Sequence, residues 1–405
     1  MKTILATVYA VNPYRGSEDG MGWNAIYQIA RFQKVIAITR KNNRPHIERF
    51  MAENQDENFK RIQFLYFDLP AWMRFWKKKS RGAMLYFWMW QKAIPSFVKR
   101  LNLDFDVAHN LNFHNDWTPS FLYKLKTPFV WGPIGHHPII PGQYLKPYAR
   151  VNWIKDRLTW MIKKAFWKLS PGLKSTIQHA DHILCMNNSV PEVIDLSDKS
   201  YSVFPSVATE DYGYKKEKSE SKFQLISAGR LVPLKGFDLS INAFAAFVNA
   251  DPKRKENAEL LIVGSGPEQA YLEDLCKAKK VQSQVKFIDW IERSALIELY
   301  KEASAFLFPS HEGAGMVVAE ALSFGLPVIC LDNAGPGQFI TNDCGFAIPH
   351  QSYNETVSKL GEAIDTLFNK PEKVKEMSFA ARARFESHFN WNQRGVQFKN
   401  IYETL

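Results

Sequence analysis

The sequence predicts an α/β fold made of two successive doubly wound parallel sheets facing an interdomain cleft. Three observations predict it. Strand and helix signals alternate through both halves of the 405 residues. The strand candidates are short apolar runs of the kind buried on both faces. Gly, Pro and charged residues fall where those runs end, at the carboxyl edge where open sheets of this class bind ligands. The length suits two domains of about 200 residues each. A hydrophobic fraction of 46% with 23% charged residues is that of a globular chain.

The first half opens with a strand over residues 4–11, a Gly-rich polar loop over 12–22 and a helix over 23–31. The apolar start reads as a buried strand rather than a signal peptide, because one lysine precedes it and the polar loop follows. Strands are expected at 35–39, 63–67, 107–110 and 129–131, with helical or polar stretches between them. Residues 215–222, KKEKSESK, lack apolar side chains and mark a linker. A second alternation follows at once: strand 223–228, loop 229–236, helix 237–248, strand 259–263, loop 264–267 and helix 268–279. It continues through strand 285–288, helix 294–302 and strand 305–308.

Residues 308–337, FPSHEGAGMVVAEALSFGLPVICLDNAGPG, carry the most information. Ser310, Gly313 and Gly315 break regular structure, and residues 316–324 follow with helical apolar spacing. Glu312 and Glu320 stand around this turn, the second about one and a half turns into the helix at about 3.6 residues per turn. A helix N-terminus carries partial positive charge and unpaired N–H groups, so the site suits an anion or a polyhydroxylated ligand. Upstream, Gly229-Arg230 through Lys235-Gly236 places two cations on a glycine-bounded loop before a helix. That arrangement can bind a diphosphate, Arg as a planar fork and Lys as a mobile point charge. Gly264-Ser-Gly266 lacks the third glycine of the dinucleotide fingerprint and says less.

Together these pieces resemble the retaining glycosyltransferases of family 4, whose GT-B fold pairs two Rossmann-like domains across a cleft. The resemblance covers nearly the whole chain, and the Arg230/Lys235 loop with the Glu312/Glu320 arrangement is its most specific part. It implies that Arg230 and Lys235 hold the diphosphate of a nucleotide sugar and stabilise it as leaving group. Glu320 would contact the ribose, while Glu312 and the amides of Gly313, Ala314, Gly315, Met316 and Val317 would hold the donor sugar. Gly229, Gly264 and Gly266 would line the donor side. Relatives usually have Gly-Phe-Gly or Gly-Gly where this chain has Gly-Ala-Gly, which leaves the donor sugar open.

The loop beginning Gly16-Ser-Glu18 resembles the first-domain glycine loop that approaches donor phosphate and acceptor. Gly132-Pro-Ile-Gly135, followed by His136, resembles a second cleft loop. The family places a His at the end of the strand after Asp106. His109 matches by distance from the strand start and His114 by distance to Pro119-Ser120; His109 is preferred, and either could be a hydrogen-bonded core residue. Asp104-Phe-Asp106 mimics a metal motif of another glycosyltransferase fold, and neither metal nor cofactor is expected. The resemblance divides the chain into 1–205 and 206–388, with a final helix at about 389–405 packing back on the first domain.

Charge is divided unevenly. Residues 1–200 hold 29 Lys and Arg against 15 Asp and Glu, whereas the remainder is slightly acidic within a total of +11. Residues 71–100 contain eight basic residues, no acidic one and four tryptophans. Trp153, Trp160 and Trp167 recur every seven residues, flanked by Arg157, Lys164 and Lys168, and would fall within about 40° on a helix. Ile154, Leu158, Met161, Ala165 and Leu169 lie on another side and are expected to be core. The aromatic and basic stripes of residues 71–100 and 150–174 suit an anionic membrane surface; nucleic acid is the weaker alternative.

The four cysteines form no C-x-x-C pair and are expected to be reduced and buried. The expected function is transfer of a sugar from a nucleotide-diphosphate donor to a glycan or polyprenyl-linked acceptor. It would take place at the cytoplasmic face of the plasma membrane in cell-surface polysaccharide synthesis. The rivals are a nucleotide-sugar epimerase or a glycan phosphorylase on the same fold and, in another class, a basic nucleic-acid-binding protein.

Overall fold

The computed structural model describes residues 1–77, 81–112, 115–205, 207–214 and 222–405. His114 and most of the expected linker, 215–221, lie outside the described residues, as do 78–80 of the basic Trp-rich segment. The chain forms two compact units, one of residues 1–136, 161–206 and 391–405, the other of 137–160 and 207–390. Residues 137–160, read from sequence as part of the first domain, therefore group with the second.

The first unit is built on a seven-stranded parallel sheet, β3-β2-β1-β4-β5-β6-β7. Its strands are β1 (Thr3–Thr7), β2 (Lys34–Thr39), β3 (Ile62–Tyr66), β4 (Val107–Asn110), β5 (Phe129–Ile134), β6 (His182–Cys185) and β7 (Tyr201–Val203). Side chains of β1, β4, β5 and β6 are buried on both faces, as expected where helices cover a parallel sheet. Asp106 accepts the Thr3 N–H at 2.7 Å, so the second carboxylate of the D-x-D sequence fastens the start of β1.

The first helix starts earlier than its glycines suggest, spanning Ser17–Ala30. Glu18 and Asp19 occupy its first turn, where negative charge suits the helix dipole. Gly22 does not break the helix. A Cβ there would come within 2.1 Å of the Ala10 carbonyl oxygen, so the glycine lets the helix settle on the strand's outgoing loop.

The helix Trp391–Thr404 completes the first unit. The Lys2 ammonium donates to the Tyr402 carbonyl at 2.8 Å, and the buried Arg394 guanidinium lies 4.8 Å from the centre of the Phe204 ring. The Tyr402 hydroxyl meets His109 Nδ1 at 2.6 Å, while His109 Nε2 lies 2.6 Å from the Gly132 carbonyl oxygen. A carbonyl can only accept, so Nε2 carries the proton and Nδ1 accepts from Tyr402.

The helix Arg150–Leu169 reverses the expected assignment of its stripes. The aliphatic side is exposed at Ile154, Leu158, Met161 and Leu169, whereas two of the three tryptophans, Trp160 and Trp167, are half-buried. The Trp167 ring N–H donates to the Asp116 carbonyl at 3.2 Å. Trp153 is exposed, with the Arg157 guanidinium over its ring. In residues 71–100 the tryptophans also divide: Trp90 is fully buried and donates to the Phe67 carbonyl, whereas Trp72 is exposed. Among the described residues no helix is long and apolar enough to cross a membrane.

The second unit carries a six-stranded parallel sheet, β10-β9-β8-β11-β12-β13. These are β8 (Phe223–Ala228), β9 (Ala258–Val263), β10 (Val285–Ile288), β11 (Ala305–Phe308), β12 (Val328–Leu331) and β13 (Gly345–Ile348). Core lies on both faces, with Leu225, Leu260, Ile262 and Leu307 in one cluster and Ile226, Leu261, Phe306 and Phe308 in the other. The four cysteines are free thiols and all buried.

Burial of His109 makes the first unit sensitive to acid. Desolvation pushes its imidazole down from the usual 6.5 to about 3. The folded state therefore keeps it neutral while the unfolded chain takes up a proton below about pH 6.5, so stability falls as pH falls. The expected loss from this group is at most about 1.4 kcal/mol per pH unit. Denaturant titrations between pH 6.5 and 5 should show a shallower pH slope in His109→Phe than in the parent; an unchanged slope would count against the neutral buried imidazole.

Candidate active site

In the second unit the loops leaving β8, β9 and β11 bring most of the predicted donor-side residues together. The first two loops interlock through backbone contacts. Gly229 donates to the Val263 carbonyl at 2.9 Å, and Leu231 to the Ser265 carbonyl at 3.0 Å. Gly264 sits at φ +133, and a Cβ there would lie 2.1 Å from the Gly229 carbonyl oxygen. Gly266 stands in similar contact with Leu231. These glycines thus set loop spacing, which explains a G-x-G that lacks the dinucleotide fingerprint.

The β11 loop joins them. The amide of His311 donates to the Leu234 carbonyl at 2.9 Å, and the Ser310 hydroxyl to the same oxygen at 3.1 Å. This places Lys235 Nζ 2.8 Å from both carboxylate oxygens of Glu312 and 5.0 Å from the centre of the Phe308 ring. The pair is largely buried, with side-chain exposures of 16% and 17%. Arg230 is exposed, and its side chain makes no ion pair or hydrogen bond with the described residues. The loop therefore holds one cation already neutralised and one open to an incoming anion.

Gly315 leads into the helix Met316–Ser323, whose Glu320 is buried. Burial pushes the Glu320 carboxyl up, and the Arg293 guanidinium opposes that rise from 2.9 Å. Arg293 also donates to the Tyr212 hydroxyl and lies over its ring. Arg293 opens its helix, Arg293–Glu302, without any motif around it, so sequence reading gave it no role.

The Gly313 amide, expected to face the donor sugar, donates to His137 Nδ1 at 3.0 Å. His137 was visible in the sequence only as half of a His-His pair. Its role depends on residues 137–160 lying on the second unit. The hydroxyls of Tyr148 and Tyr353 donate to the buried Asp238 carboxylate at 2.5 and 2.7 Å, and the Tyr144 hydroxyl donates to the Gln351 carbonyl at 2.9 Å. Asp238 follows Lys235 by three residues, so these bonds brace the cationic loop through the start of its helix.

The first-unit candidates fare differently. His109 is enclosed by Tyr402 and the Gly132 carbonyl, with both ring nitrogens used, so it offers no ring atom for chemistry; this corrects its expected catalytic role. Gly132 thus supports His109 from behind, and Gly135 is buried beside it. His136 is also buried, with Nδ1 2.8 Å from an Asp116 oxygen and its ring 5.5 Å from that of Trp167. This internal pairing replaces its expected place on an open acceptor loop. Gly16 is exposed at the helix start and Glu18 half-buried in the first turn.

Known proteins share this architecture. The Anabaena protein Alr3699/HepE, crystallised with UDP, superposes with a TM-score of 0.65 at 15% identity, covering 100% of both chains. Sucrose-phosphate synthase from Thermosynechococcus elongatus gives a TM-score of 0.68 at 18% identity, covering 100% of this chain and 99% of that one. The fold is therefore GT-B, two Rossmann-like domains with parallel sheets. Residues 209–384 match the family model for glycosyl transferases group 1. A stretch of 183 residues is 32% identical to the GDP-mannose-dependent monoacylated alpha-(1-6)-phosphatidylinositol monomannoside mannosyltransferase of Corynebacterium glutamicum, covering 43% of this chain and 45% of that protein. The chain thus spans less than half the length of this curated relative. Fold and match together support a group 1 glycosyltransferase.

The backbone contact of the two loops is open to a direct test. Gly264→Ala is expected to lower stability by roughly 2 kcal/mol or more, because the methyl group must displace the Gly229 carbonyl and the backbone is strained. Chemical denaturation of parent and variant would measure it, and a loss below about 0.5 kcal/mol would contradict the close contact.

Proposed function

We propose that this protein is a retaining glycosyltransferase. It moves a sugar from a nucleotide-diphosphate donor to a glycan or polyprenyl-linked acceptor in cell-surface polysaccharide synthesis. In this reading it works without a metal at the cytoplasmic face of a membrane. The observation that carries the proposal is the Lys235–Glu312 pair at 2.8 Å, formed by the loops after β8 and β11 beside the exposed Arg230. Breaking a glycosyl phosphate bond develops positive charge on the sugar and negative charge on the diphosphate. Fixed cations aimed at the diphosphate lower that barrier.

Arg230 and Lys235 hold and neutralise the diphosphate. Its arrival competes with Glu312 for the Lys235 ammonium, leaving Glu312 to accept hydrogen bonds from sugar hydroxyls. The amides from Gly313 to Val317 face the same sugar, with the Gly313 amide exchanging His137 for the ligand. Glu320, steadied by Arg293, receives the ribose hydroxyls. Retention follows if the leaving phosphate takes the acceptor's proton on the face it departs from, which removes the need for a separate strong base. The Corynebacterium relative's name specifies GDP-mannose and a phosphatidylinositol acceptor, and HepE was crystallised with UDP. Both support a nucleotide donor, and the former a lipid-linked acceptor.

The test is a thermal-unfolding screen with UDP-, GDP- and ADP-sugars. A donor at a hundred times its dissociation constant should add about 2.7 kcal/mol of stability. No shift with any nucleotide sugar or nucleoside diphosphate would refute the proposal. With the matching donor, Lys235→Ala should lose roughly 10²–10³-fold in kcat while its circular dichroism stays that of the parent.

A further inference from the structure

The first unit contains an apolar groove of about 570 Å³ that the donor chemistry does not use. Met84, Leu85 and Trp88 contribute from the helix Ala83–Leu101, and Ala165, Phe166 and Leu169 from Arg150–Leu169. Trp117 lines it too, its ring edge-on to Phe166 with centroids 5.0 Å apart. Two of its lining side chains are themselves largely exposed, Leu169 at 75% and Leu85 at 55%, and Met161 on the same helix as Leu169 is 67% exposed. Contiguous exposed apolar surface of this kind marks a binding site.

Charge around the groove narrows the choice of occupant. Residues 161–174 carry four lysines and no acidic residue, and two of them, Lys164 and Lys168, immediately precede Ala165 and Leu169. The helix Ala83–Leu101 has three basic residues and no acidic one. One of them, Lys92, has its ammonium 5.1 Å from the centre of the Trp88 ring. An apolar groove whose two helical segments, 83–101 and 161–169, contribute lysines and arginine but no acidic residue is complementary to an amphiphile that joins a hydrocarbon chain to an anionic head. It is not complementary to a neutral apolar helix or to a basic peptide.

We infer that this groove takes the hydrocarbon chain of a phosphate-bearing membrane lipid, with Lys164 and Lys168 meeting the phosphate. The inference rests on the membrane-surface part of the function proposed above for the source of the lipid, and not on the sugar-transfer reaction. It also replaces the tryptophan stripe with the aliphatic stripe as the lipid-facing side.

Alkyl phosphates kept below their micelle-forming concentrations provide the probe, with calorimetry as readout. Affinity should rise about fourfold per added methylene until the groove is full, then level off. Ala165→Trp, which fills the groove from an exposed position, should weaken dodecyl phosphate at least tenfold; Leu85→Glu should do the same should the first variant fold poorly. Replacing both Lys164 and Lys168 by Ser should weaken dodecyl phosphate about fivefold per lysine and leave dodecyl maltoside unaffected. If Ala165→Trp and Leu85→Glu bind dodecyl phosphate like the parent, the groove assignment is wrong.

Flotation with phosphatidylglycerol and phosphatidylcholine vesicles, run in parallel, separates the two proposals. Recovery of the parent with the anionic vesicles alone supports both. No recovery, combined with groove-dependent dodecyl phosphate binding, removes the membrane source and leaves the chain site. Self-association abolished by Ala165→Trp, with no dodecyl phosphate binding, would assign the groove to a second copy and overturn the inference.

Discussion

The candidate site depends on backbone packed against backbone. The carbonyl of Gly229 occupies the space where any side chain at position 264 would stand, and hydrogen bonds from Gly229 and Leu231 hold the two loops in that register. Ser310 and His311 extend the contact to the loop after β11 through one carbonyl, that of Leu234. Three loops separated by tens of residues thereby behave as one rigid rim at the carboxyl edge of the sheet. Lys235 and Glu312 meet because of that rim, since their side chains are too short to find each other across mobile loops.

The rim explains why the site's charges are paired internally. A buried lysine with no partner would be costly to desolvate, and so would a buried glutamate. Lys235 with Glu312, and Arg293 with Glu320, resolve both problems within the protein itself. Each pairing is also exchangeable, because a diphosphate supplies the negative charge that Glu312 supplies here, and sugar hydroxyls supply donors that replace an ammonium. Arg230, exposed on the same loop, gives an arriving anion its first unpaired cation. Only interactions that strengthen as the bond breaks accelerate the reaction, and cations placed at the leaving phosphate have that property.

Much of this was legible in the sequence because the second unit follows local rules. Its strands are short apolar runs ended by Gly and Pro, and β8, β10 and β11 fall on the expected residues. What escaped was set by distant contacts. Arg293 acquires its role only because Glu320 packs against it, and His137 only because residues 137–160 are held on the second unit by Tyr144 and Tyr148. His109 misled for the opposite reason: a polar residue at a strand's carboxyl end looks functional until the Tyr402 hydroxyl, 293 residues away, closes over it. The strands β6 and β7 were missed because they are short, and the exposed Tyr201 and Val203 give β7 no buried-strand pattern.

The helix Arg150–Leu169 separates what periodicity can say from what it cannot. Spacing at about 100° per residue sorts side chains into stripes, but it carries no information on which stripe faces the protein. Hydrophobicity alone would bury the aliphatic stripe and leave tryptophan at the surface. The structure exposes the aliphatic stripe and half-buries Trp160 and Trp167, because indole has a polar handle and the surrounding surface offers it an acceptor: Trp167 packs its ring and still donates to the Asp116 carbonyl. Aliphatic side chains gain nothing from such an acceptor. They remain on the outer face of a helix that also carries several lysines, an arrangement poorly suited to water alone. An interface that is apolar below and anionic above would satisfy both kinds of side chain at once, and a phospholipid leaflet has that layering.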